Sequence, residues 1–119
     1  MQYVNLLGAL GDGLDLDSFV TAFSAAIGGS SFSERESGNY VGGRYYKGVD
    51  GGLTFTISLS DEEDHTDLPY WIQIAADVST SEALVGAVDR IVREKALPAG
   101  FRFARMVNLG KRDERRIDY

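Results

Sequence analysis

The 119-residue chain contains no cysteine. That absence removes disulfide scaffolds, thiol nucleophiles, iron–sulfur clusters and cysteine-ligated zinc together. A single histidine, His65, excludes a metal site built on two imidazoles. Only two prolines occur, Pro69 and Pro98, each at the edge of a patterned segment, so no proline-rich linker divides the chain. No apolar run approaches the ~18 residues that a membrane span needs. The first eleven residues, MQYVNLLGALG, hold no Lys or Arg and lead into Asp12, Asp15 and Asp17, a pattern unlike a secretory signal. The expectation is one soluble, cytoplasmic domain over 1–119 with no membrane contact. A chain of this length buries roughly two-thirds of its unfolded surface without a staple.

Basic residues are scarce over most of the chain. Residues 1–89 hold fourteen Asp/Glu against Arg35, Arg44 and Lys47, a net charge of −11. Residues 90–119 hold nine Lys/Arg against four acids, a net of +5, and the whole chain carries −6. An acidic body repels phosphate backbones, which argues against direct nucleic-acid binding. It suits basic proteins, including those that themselves bind nucleic acid. Asp113, Glu114 and Asp118 interleave with the basic end, which reads as solvated or as paired with the acidic body.

What is present patterns as α+β. Tyr3 to Leu10 is apolar and short, so strand and helix readings compete. Leu16, Phe19, Val20, Phe23 and Ile27 form one apolar helical stripe, with Asp15 or Asp17 as cap and Gly28-Gly29 as stop. Ser30 to Ser37 alternates weakly, and Tyr40 to Lys47 is rich in aromatic residues. Asp50-Gly51 is a two-residue hairpin signal. Leu53, Phe55, Ile57 and Leu59 alternate with polar residues, as do Ile72, Ile74, Ala76 and Val78 in part, and both segments read as strands. Ser79 and Glu82 make a capping-box pattern for a second helix with Leu84, Ala87, Val88, Ile91 and Val92 inward and an Asp89–Arg93 pair. Pro98 and Gly100 end it. Phe101, Phe103, Val107 and Leu109 define a last strand with Arg105 in the apolar phase. The sum is a two-layer sandwich: a mainly antiparallel sheet of about four to five strands with two helices on one face.

Chemistry-bearing motifs are few. The densest polar feature, Ser60-Asp61-Glu62-Glu63-Asp64-His65-Thr66-Asp67, lacks the alternate spacing and central glycine of a calcium loop. It reads as a solvated loop with an exposed imidazole, or as an acidic patch for a basic partner, ahead of a metal site. The glycine-rich stretch Asn39 to Gly48 has no GxxxxGK[ST] pattern and precedes strand signal, so its glycines mark turns, a bulge or a close backbone approach. No G-x-S-x-G surrounds a serine. Glu34 and Glu36 share one side of a strand and suit an ionic contact with Arg44, Arg102 or Arg105. Arg105 itself calls for a carboxylate or for solvent. Tyr40, Tyr45, Tyr46, Tyr70 and Trp71 cluster near the acidic loop and are residue types enriched at binding hot spots. No cofactor and no metal ligand set is expected. The candidate binding residues are Asp61, Glu62, Glu63, Asp64 and Asp67 for electrostatics, with Tyr70 and Trp71 as anchors.

Several blocks resemble bacterial contact-dependent growth inhibition immunity proteins. They are Phe32-Ser33-Glu34-Arg35-Glu36-Ser37-Gly38-Asn39-Tyr40-Val41-Gly42-Gly43-Arg44-Tyr45-Tyr46, then Ser58-Leu59-Ser60-Asp61-Glu62-Glu63-Asp64 with Tyr70-Trp71-Ile72, and finally Asn108-Leu109-Gly110-Lys111 with Arg116-Ile117-Asp118-Tyr119. The likeness covers about residues 12–119 and lies in framework motifs rather than in a catalytic signature. It implies a non-catalytic cytoplasmic antitoxin that binds the C-terminal toxin domain of a partner effector, commonly an RNase acting on tRNA, over or near its active site. The competing readings are an adaptor for another basic protein and a small metal-dependent hydrolase using the acidic loop.

Overall fold

The computed structural model describes residues 1–11 and 15–119, and Asp12 lies outside the described residues. Seven strands and two helices follow the chain among them: β1 (Gln2–Leu10), α1 (Leu16–Ala26), β2 (Phe32–Glu36), β3 (Val41–Asp50), β4 (Leu53–Leu59), β5 (Tyr70–Ala76), α2 (Ser81–Ile91), β6 (Phe101–Val107) and β7 (Arg115–Asp118). The strands form one antiparallel sheet in the order β2-β3-β4-β5-β1-β6-β7. The class is α+β as expected, and the strand count exceeds the expected four to five. Two of the extra strands are the weakly patterned edges, β2 and β7. An edge strand has only one pairing neighbour and little burial, so its composition carries little signal.

The first segment resolves as the central strand. β1 pairs with β5 on one side and β6 on the other, and Leu6, Leu7 and Ala9 are all buried. A strand covered on both faces loses its alternation, which is why its sequence suited helix and strand equally.

Both helices pack on one face of this sheet. Asp15 caps α1 by accepting from the Ser18 amide at 2.7 Å, and Gly28-Gly29 follows its end. Thr80, one residue after the expected Ser79, caps α2 by accepting from the Ala83 amide. Beneath α1 lies an aromatic cluster. Phe19 stacks on Tyr70 at 4.1 Å between ring centroids, and Phe23 meets Phe55, Phe101 and Phe103 edge-on at 5.8–5.9 Å. Leu84, Val88, Val92 and Ala96 of α2 and its π-helical extension complete the same core, while Ile91 stays half-buried.

The β3–β4 turn slips one residue from the expected Asp50-Gly51. Asp50 pairs with Leu53, leaving Gly51 and Gly52 as the central residues with φ of +57° and +81°, the two left-handed positions of a type I′ turn. The C-terminal segment folds back on the sheet as β7. The Tyr119 hydroxyl donates to Asp89 at 2.5 Å, and Arg93 sits over its ring at 5.6 Å. The expected Asp89–Arg93 pair is thus replaced by the two residues bracketing Tyr119.

Gly8 and Gly48 each lie under a phenylalanine. A Cβ on Gly8 would fall 2.3 Å from the Phe103 ring, and one on Gly48 would fall 2.6 Å from the Phe32 ring. Phe103 is locked among other core rings, whereas Phe32 is only half-buried at the sheet edge. Gly8→Ala is therefore expected to cost about 1–3 kcal/mol through overpacking, and Gly48→Ala less. Urea unfolding of the two variants measures the order; equal losses would show that Phe103 yields as readily as Phe32.

Candidate protein-binding site

The helix-free face of the sheet is where the predicted site lies. Its apolar centre is small: Leu7 and Ala9 of β1 with Ala104 and Met106 of β6. Leu68, 2% exposed, drops into this patch from the loop between β4 and β5 and anchors it. The loop is closed at its base by the Ser60 amide donating to the Pro69 carbonyl at 2.8 Å. Its crest is a 3₁₀ turn over Glu63–His65, with the Glu62 amide held by the Ser60 hydroxyl.

The C-terminal strand holds the loop from the other side. Arg116 grips Asp67 with two nitrogens at 2.7 and 2.9 Å and also bonds Asp118 at 2.6 Å. His65 bridges Glu114 at 3.3 Å and Arg116 at 3.4 Å, with its side chain 14% exposed. The exposed imidazole expected from the sequence is thus corrected to a half-buried one. Part of the basic end pairs with the acidic body, one of the two readings its composition left open. Arg105 differs: among the described residues no carboxylate lies within ion-pair distance of it, and it stays half-buried beside Leu6.

The predicted residues separate once placed. Asp61, Glu63 and Asp64 are exposed and make no side-chain ion pair among the described residues. Asp67 is occupied by Arg116, which holds its carboxyl below the usual range. Glu62 is half-buried, and its carboxyl is raised, first by burial and then by the charges of Glu114, Asp61 and Asp64. Trp71 lies on the helix-free face. Tyr70 lies in the opposite core, 4% exposed against Phe19, and offers a partner no surface. Its assignment as an anchor is corrected by the pleat itself: adjacent strand residues point to opposite faces. Tyr70 shares its phase with Ile72, Ile74 and Ala76, so the signal was in the sequence.

Two residues outside the predicted set join the site. Tyr40 stacks on Tyr45 at 4.2 Å and leans on Trp71 at 6.1 Å. It reaches them because the β3–β4 register shifts between Val41 and Tyr46, with Gly42 and Gly43 at φ of +77° and +76°. This register shift falls within the alternatives that the glycine-rich stretch left open, and glycine adopts two successive left-handed positions at the least cost. Leu109, expected in the last strand, lies beyond β6 and packs on the helix-free face near Trp71. Tyr40, Leu59, Asp61, Glu62, Trp71 and Leu109 contribute to the walls of a pocket of about 380 Å³. A second cavity, of about 450 Å³, includes Arg105 and Lys111 in its lining and has the opposite sign.

The Glu34 contact resolves differently from the site. Glu34 and Asp17 both accept from Arg44, at 2.9 and 2.5 Å, and both accept from the Tyr46 hydroxyl. This clasp ties α1 to the β2–β3 edge. Among the described residues no group of three His, Asp or Glu is placed to hold a metal ion. No described helix is long and apolar enough to cross a membrane. No protein-family model matches the chain, and no curated protein matches it.

The raised Glu62 carboxyl fixes a sign for stability. A group whose folded pKa lies above its unfolded value holds its proton longer in the native state, so stability falls as pH rises through that window and stays lower above it. Glu62→Gln removes the penalty. At pH 7 the variant is expected to gain on the order of 0.5 kcal/mol, and the gain should vanish below the carboxylate range. Thermal unfolding at pH 7 and pH 3.5 reads this directly, and a gain of equal size at both would exclude the electrostatic cause.

Proposed function

We propose that the chain is an immunity protein that binds and neutralises a cognate contact-dependent growth inhibition toxin domain of the nuclease type, in the bacterial cytoplasm and without catalysis of its own. The observation that carries this reading is the pinned acidic loop. Asp61, Glu63 and Asp64 project from a loop anchored by Leu68 and Arg116, with no internal counter-charge among the described residues. A nuclease must present a basic groove to its substrate, and a fixed cluster of carboxylates complements that groove and steers encounter. Beside the loop lie Tyr40 and Trp71, aromatic residues of the type that dominates interface energetics. A standard interface of about 1,600 Å² would cover the loop and the adjoining helix-free face. The resemblance of residues 32–46, 58–64, 70–72, 108–111 and 116–119 to the immunity family supports the same reading from the sequence side.

The direct experiment co-expresses the tagged chain with the C-terminal domain encoded by the gene immediately upstream. A stoichiometric complex and rescue of cells from that domain's toxicity are expected; neither complex nor rescue would overturn the proposal. Within such a complex, Glu63→Lys with Asp64→Lys is expected to slow association about 10–100-fold at low salt, with the deficit shrinking as salt rises. Stopped-flow or surface-binding kinetics measure it, and an unchanged association rate would remove the loop from the interface.

A further inference from the structure

We infer that the pocket between Tyr40, Trp71, Leu109 and the acidic loop receives one guanidinium side chain of the basic partner, with one flat face against the wall that the two rings form together and Asp61 and Glu62 at its N–H edges. This rests on the proposed function and names what the site takes. The cavity, about 380 Å³, is large enough for a long side chain. Its walls are preset. The Trp71 indole nitrogen donates to Asn5 Oδ1 at 3.0 Å, so its one polar atom is satisfied within the sheet and the pocket meets only ring surface. Tyr40 is held by its stack on Tyr45. Side chains already fixed in place lose little entropy when a ligand arrives.

Charge selects the occupant. Asp61 and Glu62 line the cavity, and no Lys, Arg or His does among the described residues. Around the Glu62 carboxylate, Glu114, Asp61 and Asp64 add like charge, which His65 opposes. An entering cation relieves that repulsion, an anion meets it, and an apolar side chain leaves it untouched. Between the two cationic side chains, the guanidinium is the better match. It is planar and weakly hydrated, it stacks on aromatic faces, and its rigid fork pairs with carboxylates, whereas an ammonium is a compact, strongly hydrated point charge.

Trp71 is the only tryptophan of the chain, so its emission reports on this pocket alone. The full chain is titrated with the blocked tripeptide acetyl-Gly-Arg-Gly-amide and with its citrulline counterpart, which keeps the shape and loses the charge. A saturable change in emission with the arginine peptide is expected at about 1–10 mM, the range of a single side-chain contact, and at least about tenfold weaker binding of the citrulline peptide. Glu62→Gln and Tyr40→Ala should each weaken the arginine response about 3–10-fold. Equal responses to the two peptides, no saturation by about 100 mM, or unaffected variants would each overturn the inference. The same variants against the toxin domain separate the two proposals. If Glu63→Lys with Asp64→Lys weakens the complex and Tyr40→Ala leaves it unchanged, the pocket falls and the immunity reading stands. If the peptide binds but no toxin complex forms, the pocket stands as a guanidinium site and the immunity reading falls.

Discussion

Both helices cover the same face of the sheet, and the remaining organisation follows from that asymmetry. β1 is buried on both sides, so the face away from the helices also needs a cover at Leu7, Ala9, Ala104 and Met106. With no helix to supply it, the chain uses Leu68 from the β4–β5 loop and Leu109 from the turn after β6. Burying Leu68 brings with it the run of acids that precedes it. A segment that composition describes as solvated loop becomes a fixed rim around an aromatic pocket, because one leucine in the middle of the sheet's second face outweighs the preference of its neighbours for disorder.

The same anchoring sorts the carboxylates. Asp67, Glu114, Asp17, Glu34 and Asp89 are occupied by Arg116, His65, Arg44 and the hydroxyls of Tyr46 and Tyr119. Exposed pairs of this kind contribute little stability singly, and Arg116 adds a tie between the β4–β5 loop and β7, which Leu68 and the β6 ladder already hold. Asp61, Glu63 and Asp64 are left as net charge facing water. Glu62 stands between the groups, half-buried among like charges at some cost to the fold.

Where sequence reading succeeded, the signal was local. The α1 stripe, the alternation of β4 and β5 and the Gly28-Gly29 stop after α1 depend on residues within a few positions of one another. Where it failed, the deciding neighbour was distant. Tyr70 and Trp71 looked like twin anchors until the pleat placed one in the core and the other on the open face. Tyr40 and Leu109 came to the pocket through a bulge and a chain reversal, 31 positions before Trp71 and 38 after it. Asp89 lost its helical partner to Tyr119, thirty residues further on.

The amino-acid sequence by itself determined the α+β class, the two helices, the alternation of β4 and β5, the absence of thiol chemistry and the acidic bias, because each is written in composition or short-range periodicity. Only the tertiary structure decided which acids stay unpaired among the described residues, which aromatics lie on the helix-free face and that His65 is wedged between Glu114 and Arg116. Those outcomes depend on pairing order across seven strands and on one face having no helix. Such long-range contacts are set by the sum of all burial in the fold, and no short window of residues contains it.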